Sequence, residues 1–196
     1  MESWTINGHT LEYDDDSHIY IVDGVIVPSI TQILATKFGG KYDGVNRATL
    51  QRAAERGTAV HEAIEAYCKT GADDGSKEVR NFKFLQSHYG FEVCSNELPV
   101  LIFNNHTLVA AGRLDMVMMT SAEIAIADIK TTATLDKEYL AYQLNLYRIG
   151  YMQSYYGIYI NALYGVHLRE DKRKLVKIPI NEGMAWDIIE RSGLSE

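Results

Sequence analysis

The chain has 196 residues, of which 46% are hydrophobic and 23% charged, with three Pro and two Cys. A chain of this size can bury a sizeable core as one domain, which excludes disorder and a disulfide scaffold. No apolar run reaches the ~18–20 residues of a membrane helix, so no membrane partner is expected. The net charge of −7 argues at first against a nucleic-acid partner, because phosphate repels acidic surfaces. That charge is uneven: residues 1–24 hold Glu2, Glu12, Asp14, Asp15, Asp16 and Asp23 with no Lys or Arg, which leaves the rest near neutral. Cys68 and Cys94 match no metal spacing and read as reduced structural thiols. Met1-Glu-Ser-Trp4 has neither a basic nor an apolar leader pattern, and a cytoplasmic location is expected.

Residues 9–27 alternate apolar and polar positions around Asp14–Ser17 and Asp23-Gly24, which predicts a small antiparallel meander. Ser29 and Gln32 are spaced as a capping box and open a short helix. A helical pattern follows over about 45–70, with Gly57 as a weak point and Gly71 as the stop. Ser76 to Tyr89 is a second helix closed by Gly90. Three β-like runs come next, at about 91–103, 107–119 and 123–130, joined by Asn104-Asn105 and Thr120-Ser121. A helix over about 136–156 carries Leu140, Gln143, Leu144 and Tyr147 on one stripe. Strands at 158–168 and 174–180 around a charged turn, then a helix over 182–192, complete the chain. The order predicts an α/β (α+β) fold, with a central mixed sheet flanked by helices and a small N-terminal meander. One domain over 1–196 is expected, with the meander at 1–28, a core at 44–156 and a hairpin with a helix at 157–196.

The chemistry concentrates in two short runs, Gly112-Arg-Leu-Asp115 and Ala127-Asp128-Ile129-Lys130. A strand repeats every two residues, so Asp128 and Lys130 project from one face. If the two strands pair about Thr120-Ser121, Asp115 reaches that face near Asp128. Buried carboxylates are costly unless paired or bound to a cation. Two Asp side by side make a hard-oxygen site suited to Mg²⁺ or Mn²⁺, and a neighbouring Lys can orient a water or offset charge on a phosphate. The same residues also suit a plain strand-end ion pair with Asp115 as a cap. His61 and Glu65 stand at i and i+4 on the helix, one turn beyond Gly57, a glycine that would let another backbone approach. His61 is either a third ligand or a satisfied helix residue. Gln143 and Tyr147 form another i, i+4 pair, fit either for an inter-helix hydrogen bond or for holding Lys130.

In order, Gly57-Thr-x-x-His61, Gly112-x-x-Asp115, Asp128-x-Lys130 and Gln143-x-x-x-Tyr147 resemble the motif series of the PD-(D/E)XK nuclease superfamily, and more narrowly its RecB-like exonuclease branch. That branch includes the mitochondrial genome-maintenance exonucleases, and Val27-Pro-Ser-Ile-Thr-Gln-Ile-Leu34 is similar to its compact phage-type members. The likeness spans roughly residues 20–150. It implies a restriction-endonuclease-like core and a Mg²⁺- or Mn²⁺-dependent deoxyribonuclease. His61, Asp115, Asp128 and the Ile129 carbonyl would hold the metal, Lys130 would be the catalytic lysine, and Gln143 and Tyr147 would support it. Glu97 and Glu65 resemble accessory acids of the branch. Relatives with an iron–sulfur cluster use four cysteines, which this sequence lacks, so no cluster is expected.

The implied partner is DNA at its ends, single-stranded DNA being one option, with a single-strand annealing protein by analogy with phage recombination pairs. Candidate DNA contacts are Arg52, Arg56, Arg148, Lys172, Arg173 and Lys174. The expected activity is exonucleolytic, in phage or bacterial recombination or repair. An endonuclease of the same superfamily and an inert DNA-binding module are the alternatives. The sequence leaves polarity, single- versus double-strand preference, metal number and oligomeric state open.

Overall fold

The computed structural model describes residues 1–15, 17–41 and 43–193. Strands β1 (Glu2–Ile6), β2 (His9–Asp14), β3 (Ile19–Val22) and β4 (Val25–Val27) form an antiparallel sheet in chain order. Its tight turns use Asn7-Gly8 and Asp23-Gly24, all four at positive φ, which matches the right-handed twist of the paired strands. The meander therefore starts one strand earlier than its alternation predicts. Trp4 and Ile6 alone make too short a stripe to read as a strand. Asp16, in the expected second turn, lies outside the described residues.

Helix α1 (Ile30–Phe38) has the expected capping box, with Ser29 and Gln32 bonding each other's backbone, and it buries Ile30, Ile33 and Leu34. Helix α2 (Arg47–Thr70) runs unbroken through Gly57 and ends at a left-handed Gly71. A Cβ at Gly57 would meet Thr131 Oγ1 at 3.6 Å, an ordinary contact, so no close approach demands that glycine. Helix α3 (Lys77–Tyr89) runs from a Ser76 cap to a left-handed Gly90.

The central sheet has strands β5 (Glu92–Asn104), β6 (Thr107–Met119), β7 (Ile124–Lys130), β8 (Ala162–Arg169) and β9 (Lys172–Ile178) in that order. Neighbours are antiparallel except β7 and β8, which run parallel because helix α4 (Lys137–Ser154) carries the chain back between them. Helix α5 (Glu182–Arg191) follows β9. The β8 strand starts at Ala162, not 158: Tyr156, Ile158 and Tyr159 have strand-like composition but stand exposed before it. The β9 strand begins two residues earlier than expected, where Lys172 pairs with Arg169, and stops before Pro179, which has no N–H for a ladder.

One face of the sheet packs on α1, α4 and α5 through residues such as Leu34, Leu144 and Ile189. The other packs on α2 and α3 through Ile64, Phe82 and Ile129. Covered on both sides, β7 is buried from Ala125 to Ile129. Ile126 joins the first core, while Ala125, Ala127 and Ile129 join the second, so Asp128 and Lys130 share the α4 face. The N-terminal sheet seats on β5 and β6 through Leu11, Leu101 and Ala111. Gly112 lets α1 and α4 close on β6: a Cβ there would lie 2.7 Å from Ile30 Cδ1 and 3.1 Å from Tyr147 Cε1. Among the described residues, no helix is long and apolar enough to cross a membrane.

Candidate functional site

The β6–β7 ladder runs from Met119↔Ile124 to Met116↔Ala127. One step beyond stand Asp115 and Asp128, as the hairpin reading expects. There the Asp115 side chain takes over from the backbone: Asp115 Oδ2 accepts the Ile129 N–H at 2.7 Å. From the opposite layer, His61 on α2 sets Nε2 3.1 Å from the Ile129 carbonyl and Nδ1 3.5 Å from Asp115 Oδ2. Bonds of about 2.1 Å at right angles put neighbouring metal ligands about 3 Å apart, so this spacing suits coordination as well as a hydrogen bond.

Asp128 is 1% exposed, and Lys130 Nζ lies 2.5 Å from its Oδ2. The ammonium and this buried carboxylate oxygen form a close ion pair. Burial pushes the Asp128 carboxyl above the usual range, and the Asp115 charge pushes it further. Burial works against the Lys130 charge, but Asp128 and Asp115 outweigh it and hold the ammonium above its ordinary value. Local electrostatics thus favour added positive charge beside the two acids.

Glu97 completes the cluster. His61, Glu97 and Asp115 each offer a ligand atom, all within 4.8 Å of one another. Glu97 sits at φ 51° inside β5, between the pairs Asn96↔Met116 and Leu98↔Leu114. A left-handed glutamate in a strand is strained backbone, of the kind that gathers at functional sites. Burial, then the Asp115 charge, raises its carboxyl to about 7, against the pull of Arg113 and His61. Arg113 Nε holds Glu97 Oε2 at 2.9 Å, and its Nη1 reaches Glu2 at 3.2 Å. The donor set of imidazole and hard carboxylate oxygens suits a divalent cation.

The acidic N-terminal edge does not lie apart from these residues, as its place in the sequence suggests. Glu2 and Asp15 line a cleft of about 940 Å³ together with His61, Glu62, Glu65 and Glu97. Glu65 is turned to Lys69 in an ion pair and stands outside the close ligand group.

Gln143 and Tyr147 lie buried on α4 beside one another, behind Gly112. Burial drives the Tyr147 phenol well up, with Asp115 and Asp128 acting in the same direction. Gln143 is 7% exposed, and its Oε1 has no donor among the described residues. The two side chains hydrogen-bond each other within reach of the fields of both acids.

Arg148 is a correction. It is 2% exposed, donates from Nε to the Ile160 carbonyl and pairs with Glu182, so it braces α4 against the 155–161 segment and α5 and offers DNA nothing. Arg52 is exposed on α2, while Arg56 Nη2 donates to the Thr131 carbonyl. On the β8–β9 hairpin Lys172 bonds the Ala133 carbonyl, Arg173 lies over the Phe84 ring at 3.7 Å, and Lys174 is exposed.

Local sequence patterns marked neither Arg113 nor Glu97. Arg113 sits inside the Gly112–Asp115 run, but its partners Glu2 and Glu97 are distant in the chain. Glu97 came only from the resemblance, because nothing local marks a residue at positive φ.

Fold and cluster together define an α/β protein with a histidine–carboxylate group and a buried Asp–Lys pair on adjacent central strands. A solved structure, that of SSO0001, shares the fold with a TM-score of 0.50 at 14% identity, over 86% of this chain and 75% of that one. No protein-family model matches the chain, and no curated protein does.

Proposed function

We propose that the protein is a Mg²⁺- or Mn²⁺-dependent deoxyribonuclease of the PD-(D/E)XK superfamily, in its RecB-like branch, acting from DNA ends. One observation carries the reading. His61 from α2, Asp115 from β6 and the Asp128–Lys130 pair from β7 converge where the β6–β7 ladder ends. These residues come from three separate stretches of sequence, and their meeting at one ladder end supports the reading.

In this reading His61, Asp115 and Asp128, with the Ile129 carbonyl and Glu97, hold the cation. When bound, the cation polarises the phosphodiester and makes its water a stronger nucleophile at neutral pH. Lys130, kept charged by the two acids, would orient the attacking water and offset charge growing on the phosphate. Asp115 fixes the Ile129 carbonyl by holding the adjoining N–H. Gln143 and Tyr147 back β6 and β7 so that neither acid can retreat from its partner. Cys68 and Cys94 are unpaired, in keeping with a reducing bacterial or phage-infected cytoplasm. A single-strand annealing protein is the partner this reading suggests.

The test is digestion of end-labelled linear single- and double-stranded DNA beside a covalently closed circle, with Mg²⁺ or Mn²⁺. Linear DNA is expected to be degraded while circles survive. Rapid cutting of the circle would move the reading to an endonuclease. Full activity in Asp128→Ala or Lys130→Ala would overturn the site, and no cleavage of any substrate would leave a binding module.

A further inference from the structure

A second pocket, of about 600 Å³, lies across α2 from the acidic cleft, and Ala54 lines both. Its character is opposite. Lys41, Arg56, Lys130 and Arg169 line it; Lys41 pairs with Asp136, the one carboxylate among the described lining residues, Lys130 pairs with Asp128, and Arg169 lies 3.8 Å from Glu170. Leu50, Ala53 and Tyr139 add an apolar wall, and residues 131–134 form its rim.

The pocket is held in shape before any ligand arrives. Arg56 Nη2 donates to the Thr131 carbonyl at 3.1 Å, His167 Nε2 to Thr132 at 2.7 Å, Lys172 to Ala133 at 2.5 Å, and the Thr132 hydroxyl to Thr134 at 2.8 Å. Four successive carbonyls of the rim are thereby consumed. Meanwhile the Nε of Arg56 is buried with no acceptor among the described residues. A preformed recess lined by four cations, one of them Arg56 with an unmatched guanidinium donor and no carboxylate on it among the described residues, suits an anion. Its apolar wall and its volume ask for more than a bare ion.

We infer that this pocket binds a nucleotide, its phosphate among Arg56, Arg169 and Lys41 and its sugar and base along Leu50, Ala53 and Tyr139. Its place along a strand rests on the nuclease reading. Lys130 belongs to the pocket, and the preceding residue, Ile129, belongs to the ligand cluster. A strand crossing the Ala54 ridge would set one phosphate at the acids and its neighbour in the basic pocket. The pocket would then supply the strand contact that the acidic cleft repels.

Calorimetric titration in EDTA separates this inference from the nuclease reading, since it needs neither metal nor cleavage. Thymidine 5′-monophosphate is expected to bind more tightly than thymidine and than inorganic phosphate. Arg169→Gln removes one guanidinium, and Ala53→Glu sets a carboxylate on an exposed helix position. Each is expected to weaken the nucleotide about tenfold with the circular dichroism spectrum unchanged. Equal binding of nucleoside and nucleotide, or of phosphate alone, would overturn the inference. So would wild-type affinity in both folded variants. Nucleotide binding lost in the variants of a protein that cleaves nothing would leave the pocket standing and sink the nuclease. Cleavage without such binding would do the reverse.

Discussion

Asp115 Oδ2 holds the backbone N–H of Ile129 at 2.7 Å while also lying 3.5 Å from His61 Nδ1. One carboxylate thus stitches β6 to β7 and faces the ligand position, so structure and chemistry can be separated there. Asp115→Asn retains an oxygen acceptor for Ile129 and loses the charge. Metal-dependent hydrolysis of linear DNA is expected to fall ~100-fold or more, with metal-free melting unchanged or slightly raised.

Acidity offers a second handle. Glu97 is raised from the ordinary carboxylate value of 4.5 to about 7 by burial and then by Asp115. A carboxyl raised in the folded chain prefers its proton there, so charging it costs stability progressively as pH climbs from about 4.5 to 7. The full cost is on the order of 3 kcal/mol, since one pKa unit is worth about 1.4 kcal/mol. The metal-free protein is expected to lose stability across that window more than Glu97→Gln does. A bound cation offsets the cost, so the Mn²⁺-induced rise in melting temperature should be larger at pH 8 than at pH 5.5. Differential scanning fluorimetry at both values decides it, and equal rises would count against Glu97 as a ligand.

Two glycines in the motif series should respond in opposite ways. At Gly112 a methyl would press on Ile30 and Tyr147, both buried, and Gly112→Ala is expected to cost ~1–3 kcal/mol in denaturant unfolding. At Gly57 a methyl finds ordinary contact in the middle of α2, and Gly57→Ala is expected to gain ~0.5–1 kcal/mol.

Arginines divide in the same manner. Arg148→Ala strips the Ile160 carbonyl and Glu182 of their partner, and it is expected to destabilise by ~2–3 kcal/mol. Arg173→Ala removes a side chain lying over Phe84 on an exposed hairpin. Its stability should change by less than ~1 kcal/mol, while binding of single-stranded DNA weakens and the salt dependence becomes shallower. Fluorescence anisotropy of a labelled oligonucleotide at two salt concentrations reads the difference.

Much of this architecture follows from local patterns that the chain carries on its face. The Ser29–Gln32 capping box, the stops at Gly71 and Gly90, and the two long strands around Asn104-Asn105 depend on residues a few positions apart. Period-two alternation likewise put Asp128 beside Lys130, and the hairpin brought Asp115 opposite. Exposed tyrosines before β8 misled the same reading, because composition does not report burial.

What the tertiary structure decided is everything that needs contacts between distant segments. The sequence by itself determined which residues could ligate, and their order along the chain. Packing decided that Arg148 is buried, that Glu2 reaches Arg113, and that Glu97 turns left-handed beside Asp115. It also set an acidic cleft and a basic pocket on opposite flanks of α2. Backbone periodicity repeats over two to four residues, whereas charge acts through space. A net charge of −7 could not say that its negative part surrounds the ligand group, nor that positive charge gathers one residue away at Lys130.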